Sequence, residues 1–155
     1  TMKSESDIIS LQGSLFRQLG TGQIADAMKT LKALVADVPY SNKKLASMDM
    51  EERYRLIIST NLNAIGLKVE AEHMLATGRI DLIAQTSRYI YVIELKLKNN
   101  GGKKAAIQQI LDNKYLEPFQ ADKRNVIGLG IELDEEGKVD AALGCTDFSG
   151  RDNHY

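Results

Sequence analysis

Three residues in the middle of the chain have side chains whose types and spacing could do chemistry. Glu94 and Lys96 lie two residues apart near the end of an apolar run at 89–97, and Asp81 interrupts a second apolar run at 78–84. A carboxylate within an apolar strand is unfavourable to bury unless a partner compensates its charge. These residues therefore need either a structural partner or a function.

The two acidic residues are expected to meet if both runs are strands of one hairpin. With the turn at 86–88, Asp81 and Glu94 would lie together at the open end of that hairpin. Side chains alternate between the two faces of a strand, so Glu94 and Lys96 share a face. Two converging carboxylates form a hard oxygen site that suits Mg²⁺, whose remaining positions go to water and substrate phosphate. Lys96 would add a positive charge for that phosphate.

A purely structural interpretation of the same residues stays open. Asp81 could cap a turn, while Glu94 and Lys96 could form an exposed ion pair on a half-solvated sheet. Isolated Glu-x-Lys triplets arise by chance in many proteins. The combination is more specific, because an acidic residue in one strand is followed by Glu-x-Lys at the end of a buried strand and then by a helix.

The apolar spacing along the chain predicts the elements that would position these residues. Helical periodicity predicts helices at 7–19, 23–35, 49–64 and 104–116. Short apolar or β-branched runs predict strands at 67–75, 80–84, 89–97, 126–133 and 139–143. Asp49 is expected to cap the third helix, and Gly66 is expected to end it. The order of elements predicts an α/β fold with a mixed central sheet flanked by helices and preceded by an α-helical hairpin.

Length and composition favour one globular domain. The 155 residues are 43% hydrophobic and 26% charged, which is typical of a compact soluble protein and not of a disordered or fibrous one. Lysine and arginine total 20 against 21 acidic residues, so the net charge of −1 does not predict a nucleic-acid or anionic-membrane partner. Any phosphate-binding surface must therefore be local.

The cysteine count and the lack of long apolar runs predict the compartment. The single cysteine, Cys145, excludes an intramolecular disulfide and a cysteine zinc cluster, which favours a reducing compartment. No apolar run approaches the roughly 20 residues that span a bilayer, and the first residues lack the apolar core of a signal peptide. The expected location is cytoplasmic, with no membrane partner.

Several segments together resemble one known group of enzymes. The segments Gly78-Arg79-Ile80-Asp81 and Ile93-Glu94-Leu95-Lys96, followed by Gln108-Gln109-Ile110 and Lys114-Tyr115, are similar to the PD-(D/E)XK nuclease superfamily. More closely, they resemble the nuclease-like domain that lies C-terminal to an AAA-type ATPase-like domain in many bacterial proteins. The resemblance covers residues 51–143 and implies a restriction-endonuclease-like core.

The same resemblance implies a division of the chain. Residues 1–47 are expected to form an N-terminal helical hairpin or linker segment, and residues 48–155 the nuclease-like domain. The hairpin resembles the segment that joins the two domains in ATPase fusions. Since the chain also begins with Thr1 and not with Met, we expect it to be a piece of a longer protein.

Roles at the candidate site follow from the resemblance residue by residue. Asp81 and Glu94 match the two acidic metal ligands, and the carbonyl of Leu95 is expected to contribute to the same metal site. Lys96 matches the lysine that positions or activates the attacking water. Glu51 matches a further acidic residue on the first core helix, with its neighbour Glu52 as the rival for that role.

Two further positions match the pattern, and one departs from it. Gln109 matches a helix glutamine that often faces the site, and Tyr115 a position that is usually aromatic in this subgroup. Ile80 stands where the name-giving proline would be. The departure is one that this subgroup tolerates.

The resemblance implies a Mg²⁺-dependent nuclease that hydrolyses DNA, with Mn²⁺ as a substitute. Four lysines without an acidic residue between 95 and 105 add local support for phosphate binding: Lys96, Lys98, Lys103 and Lys104. The expected partners are nucleic acid, above all DNA, and an ATPase-like domain of the same protein. The alternative is a non-catalytic nuclease-like module that binds nucleic acid or protein. Self-association of the helical hairpin into a homodimer is a further alternative.

Other chemistries find less support in the sequence. Gly128-Leu129-Gly130 lacks the third glycine and the following helix of a dinucleotide site, so it is expected to be a closely packed strand. His73 and His154 are isolated from cysteines and from one another, which disfavours a zinc site or a nucleophilic triad.

Overall fold

The computed structural model describes residues 3–36, 49–134, 139–143, 145–146 and 152–153. Three helices come first along the chain: α1 (Glu5–Gly20), α2 (Ile24–Val35) and α3 (Met50–Ala64). Three strands follow, β1 (Lys68–Leu75), β2 (Gly78–Gln85) and β3 (Tyr89–Leu97). The chain continues with α4 (Gly102–Asp112), β4 (Asn125–Leu133), β5 (Val139–Leu143), β6 (Cys145–Thr146) and β7 (Asp152–Asn153).

Local capping explains where the helices begin and end. Ser4 and Asp7 form a capping box, in which each side chain bonds to the other residue's backbone N–H, so α1 begins two residues before the predicted start. The side chain of Asp49 accepts from the Glu52 N–H, which confirms the predicted cap of α3. Gly66 follows α3 with φ of 97°, a conformation that few other residues adopt.

The prediction for α4 was wrong at its C-terminal end. The periodicity predicted a helix over 104–116, whereas the observed helix ends at Asp112. Lys114 takes a left-handed φ of 54°, and an α-helix does not continue through that conformation. The turn directs the Tyr115 side chain onto Gly78, where an added Cβ would lie 2.5 Å from Tyr115 Oη. The apolar positions after Asp112 therefore belong to a turn and not to the helix.

Five strands form one mixed sheet in the order β1-β2-β3-β4-β5. The β1–β2, β2–β3 and β4–β5 pairs are antiparallel, and β3 and β4 are parallel. The parallel pair is joined through α4, the crossover helix that a parallel connection requires. The predicted α/β class, the mixed sheet and the hairpin turn at 86–88 are confirmed.

Helices cover both faces of the sheet. The α1, α2 and α3 helices share one apolar core with one face, and the Tyr91 hydroxyl on that face donates to the Leu19 carbonyl oxygen at 2.5 Å. The α4 helix and the turn after it cover the other face, where Ile110 and Tyr115 pack with Ile90 and Val92. The sheet is thus buried on both sides, which explains why β3 is almost continuously apolar before Glu94.

Gly130 shows how closely α4 packs on the sheet. A Cβ at this position would lie 2.7 Å from the Lys103 carbonyl oxygen and 2.9 Å from Ile107 Cγ1. The predicted closely packed glycine strand is therefore confirmed. The predicted boundary at 47/48 lies outside the described residues and stays a prediction, and so does the interpretation of His154.

No helix among the described residues is long and apolar enough to cross a bilayer.

Candidate active site

The β2 and β3 strands separate at the position of the two predicted carboxylates. Their backbone pairing runs from Gln85↔Ile90 to Leu82↔Ile93, and Asp81 and Glu94 come next in register. The Asp81 N–H donates to Glu94 Oε1 at 3.0 Å, and the Leu95 N–H donates to Asp81 Oδ2 at 2.9 Å. Each carboxylate therefore accepts a backbone N–H of the opposite strand. The structure brings Asp81 and Glu94 together at the open end of the hairpin.

Glu94 lies in surroundings that oppose its negative charge. Its exposed fraction is 1%, and among the described residues the other buried polar side chain is that of Thr30. Burial raises the pKa of Glu94 to about 9, and the charge of Asp81 and a hydrogen bond between the two side chains add to the increase. The backbone hydrogen bond from Asp81 and the charge of Lys96 act in the opposite direction. An exposed Glu94–Lys96 ion pair is therefore excluded.

The burial and raised pKa of Glu94 beside Asp81 show whether a divalent metal ion suits this carboxylate pair. Two carboxylates in contact supply hard oxygen ligands of the type that Mg²⁺ prefers. Without a cation, burial and the charge of Asp81 raise the pKa of Glu94 and so favour a proton on its carboxyl group. A divalent cation would replace that proton and compensate both charges, so the chemistry of the pair fits the metal.

Lys96 lies beside the pair on the same face of β3 as Glu94. It is half-buried, and its in-register neighbour on β4 is Glu132. Glu132 Oε1 accepts the Lys103 N–H at 3.3 Å, at the start of α4. The lysine stretch noted in the sequence thus follows the connection from β3 into α4, where Lys98 and Lys104 are exposed.

Of the two glutamates on α3, Glu51 reaches the end of β3. Glu51 Oε1 accepts the Leu97 N–H at 3.1 Å, one residue after Lys96. Glu52 is exposed, and its N–H is used by the Asp49 cap. Within the described ranges, no three or more Asp, Glu, His or Cys side chains are grouped around one metal position, so Glu51 borders the carboxylate pair without joining it.

Gln109 lies beside the start of β2. Its Nε2 is 3.5 Å from Tyr115 Oη, which also accepts from Asn113 Nδ2 at 3.1 Å. Tyr115 Oη in turn rests on Gly78, three residues before Asp81. The hydrogen bonds of the described residues connect Gln109 to this tyrosine and not to Asp81 or Glu94.

An arginine–glutamate cluster beside Asp81 was missed in the sequence. Glu72 is flanked by the pairs Ala71↔Leu82 and His73↔Ile80, so it faces Asp81 across the β1–β2 ladder. Its φ of 55° is unusual for a residue other than glycine. Glu72 Oε1 binds Arg55 Nη2 at 2.9 Å and Arg79 Nη1 at 3.3 Å.

The sequence held one usable signal for this cluster. Arg55 follows Glu51 by four residues, a spacing that places both side chains on one face of a helix. The contact between Arg55 and Glu72 joins α3 to β1, and helical periodicity carries no information about such a long-range pair. The cluster adds two cations that are paired with Glu72, the residue opposite Asp81 on β1.

The chain is similar to a known family and to two curated proteins. A family model described as PD-(D/E)XK nuclease superfamily matches residues 49–141. The chain is 28% identical over 137 residues to an uncharacterized protein in the vnfD 5′ region of Azotobacter chroococcum mcd 1, covering 81% of this chain and 26% of that protein. It is 29% identical over 84 residues to a UPF0102 protein of Dichelobacter nodosus, covering 54% of this chain and 67% of that protein. The chain thus spans about a quarter of the Azotobacter protein.

Proposed function

Because the chain belongs to the PD-(D/E)XK nuclease superfamily and has its restriction-endonuclease-like α/β fold, we propose that it hydrolyses DNA phosphodiester bonds with Mg²⁺. The observation that carries the proposal is the pair of carboxylates in contact between β2 and β3, of which Glu94 is buried and has a raised pKa. Apolar side chains could replace a buried carboxyl pair with little loss of folding stability. The presence of the pair therefore favours a functional role over a structural one.

The proposed roles follow from the position of each residue. Asp81 and Glu94 would hold the metal ion, with Mn²⁺ as a substitute and the carbonyl of Leu95 as a further ligand. When bound, the ion polarises the phosphate and lowers the pKa of a coordinated water. Lys96, on the same face as Glu94, places a positive charge beside the phosphate and orients the attacking water.

The neighbouring residues would position the substrate and the pair. Glu51 accepts the Leu97 N–H at the end of β3, and this contact helps to fix the position of the adjacent Lys96. Arg55 and Arg79 offer two guanidinium groups for a phosphate next to Asp81, with Glu72 as their partner before DNA binds. Gln109 supports the start of β2 through Tyr115, which makes it a positioning residue.

The wider context belongs to the same proposal. We expect the chain to act as part of a larger ATPase–nuclease protein in the cytoplasm, since the Azotobacter relative is about four times as long as the stretch it shares with this chain. Cutting both strands of a duplex would call for two copies, so a homodimer is the expected assembly on DNA. Sedimentation equilibrium with and without DNA tests that assembly.

Two measurements test the proposed activity. Labelled single- and double-stranded DNA and RNA are incubated with Mg²⁺, Mn²⁺ or EDTA, and the products of the wild type and Glu94→Gln are compared on one gel. Cleavage of DNA that needs a metal ion and is lost in the variant supports the proposal. Cleavage of RNA alone would correct the substrate class.

Titration calorimetry separates the nuclease from its alternative. The proposal predicts one Mn²⁺ site in the wild type that Asp81→Asn and Glu94→Gln both remove. Glu117→Gln, a change at an exposed acidic residue on the turn after α4, serves as the control. A well-folded chain that binds DNA but binds no metal at the pair would be the non-catalytic nuclease-like module.

A further inference from the structure

A groove of about 920 Å³ lies at the end of the sheet away from the carboxylate pair. Its walls are the turn between α1 and α2, the start of β1 and the β2–β3 hairpin turn at 86–88. The carboxylate pair lies at the open end of the same hairpin, so the groove and the pair occupy opposite ends of β3. Neither the fold nor the proposed chemistry accounts for a groove in this place.

All charged side chains that line the groove are positive. Four cationic side chains line it, Arg17, Lys68, Arg88 and Arg124, and its lining contains no acidic residue. Arg124 is neutralised by Asp122, at 2.8 Å, and it anchors the hairpin turn through the Thr86 carbonyl oxygen. The other three are exposed and form no ion pair within the described ranges.

Three unpaired cations around one groove are notable in a chain whose net charge is −1. Charges of one sign repel each other when they share a concave surface, and a ligand of opposite sign removes that repulsion. The groove also contains the hydroxyl group of Ser87, which can donate to a phosphate oxygen.

The size of the groove and the spread of its charges favour an extended ligand. The three cations belong to α1, β1 and the hairpin turn, so they are distributed over three walls of the groove. A volume of about 920 Å³ lies at the upper end of the range for small-molecule sites. Phe16, which is 51% exposed on the groove wall, offers an aromatic face of the kind on which bases stack.

We propose that this groove binds the sugar–phosphate backbone of the nucleic-acid strand whose scissile bond lies at the carboxylate pair. The proposal rests on the proposed nuclease function. Arg88 precedes Glu94 by six residues of extended chain, a separation of about 20 Å at roughly 3.3 Å per residue. Helices cover both faces of β3, so a strand would pass around them; at about 3.4 Å per nucleotide along each strand of a duplex, the groove would contact phosphates at least about six nucleotides from the cleaved bond.

Binding of a labelled 20-nucleotide DNA in EDTA tests the groove without requiring cleavage. The affinity is measured by fluorescence anisotropy over a series of salt concentrations for the wild type and for Arg17→Gln/Arg88→Gln. Loss of two phosphate contacts is expected to reduce the slope of log K against log salt concentration by about 1.5. The control is Lys29→Gln/Lys32→Gln, which removes two exposed charges of α2 outside the groove and should leave the slope close to wild type.

Two additional arms keep the result interpretable. Arg17→Lys/Arg88→Lys keeps both charges, so it should retain the wild-type slope; a reduced slope here would indicate disturbed folding, checked by circular dichroism. An unchanged slope in the glutamine variant overturns the proposal. Displacement of the DNA by a nucleoside triphosphate at equal phosphate concentration would also overturn it, because the groove would then be a small-ligand site.

The same variants separate this proposal from the proposed function. If the glutamine variant loses affinity while the wild type cuts no nucleic acid under any condition, the groove binds a strand and the nuclease function fails. If the wild type cuts DNA with Mg²⁺ and the glutamine variant binds and cuts long DNA as the wild type does, the nuclease stands and the groove proposal fails.

Discussion

Replacement of Glu94 by glutamine should change how the stability of the protein depends on pH. The folded protein raises the pKa of Glu94 from 4.5 to about 9, so the folded state keeps a proton that the unfolded chain releases. Below pH 4.5 both states are protonated, and the stabilising effect of the proton is fully present. It is lost progressively as the pH rises towards about 9, where the folded state also ionises.

The size of the effect follows from this linkage. One proton held by the folded state alone lowers the free energy of unfolding by roughly 1.4 kcal/mol for each pH unit within that window. The amide side chain in Glu94→Gln would keep the hydrogen bond from the Asp81 N–H and has no proton to lose. The variant should therefore gain stability relative to the wild type by about 4 kcal/mol between pH 5 and pH 8.

Urea denaturation in EDTA at pH 5, 6, 7 and 8 measures this difference. Comparison of the two proteins at each pH cancels the contributions of the other titrating groups, and Glu52→Gln, at an exposed position, is the matched control. A difference between Glu94→Gln and the wild type that stays constant from pH 5 to pH 8 would refute the argument. Glu94 would then be ionised in the metal-free protein.

Three further changes test the surroundings of the pair. Glu51→Ala should slow Mg²⁺-dependent DNA cleavage while Glu52→Ala leaves the rate unchanged, because the Glu51 side chain accepts the Leu97 N–H at the end of β3 and the Glu52 side chain is exposed; equal rates in a gel assay would show that this contact is dispensable. Arg55→Ala should raise KM for DNA by roughly tenfold, the loss of one charge-assisted phosphate contact; an unchanged KM in steady-state kinetics argues against phosphate binding there. Gly130→Ala should destabilise the fold by roughly 1 to 3 kcal/mol in urea, since its Cβ would lie 2.7 Å from the Lys103 carbonyl oxygen; wild-type stability would mean that α4 packs less closely on β4.

The parts of the fold that the sequence predicted are those governed by local rules. Alternation and apolar runs located β1 to β4, and the Asp49 cap and Gly66 located the ends of α3. The end of α4 was mispredicted because the apolar residues after Asp112 keep a helical spacing. Lys114 is the left-handed residue of a Schellman motif, in which the N–H groups of Lys114 and Tyr115 donate to the carbonyl oxygens of Leu111 and Ile110, and helical spacing does not show this turn.

The candidate site also has features that local sequence rules predict and features that they do not. The meeting of Asp81 with Glu94 follows from two strands and one short turn, so the sequence could predict it. The sequence could not decide whether Glu51 or Glu52 faces the site, because helical periodicity does not separate two adjacent residues with certainty. The packing of α3 against β3 decides for Glu51. The pairing of Arg55 with Glu72 and the cationic groove depend on contacts between elements far apart in sequence. Local sequence patterns do not predict such contacts.

The central claim is that the Asp81–Glu94 pair makes this protein a metal-dependent nuclease. The most direct measurement is the rate of DNA cleavage as a function of Mg²⁺ concentration for the wild type and for Glu94→Gln, with folding of both verified by circular dichroism. The account predicts a rate that rises to saturation with Mg²⁺ in the wild type and no cleavage above the EDTA background in the variant. Cleavage by a well-folded Glu94→Gln protein at the wild-type rate, or cleavage by the wild type in EDTA, would contradict it.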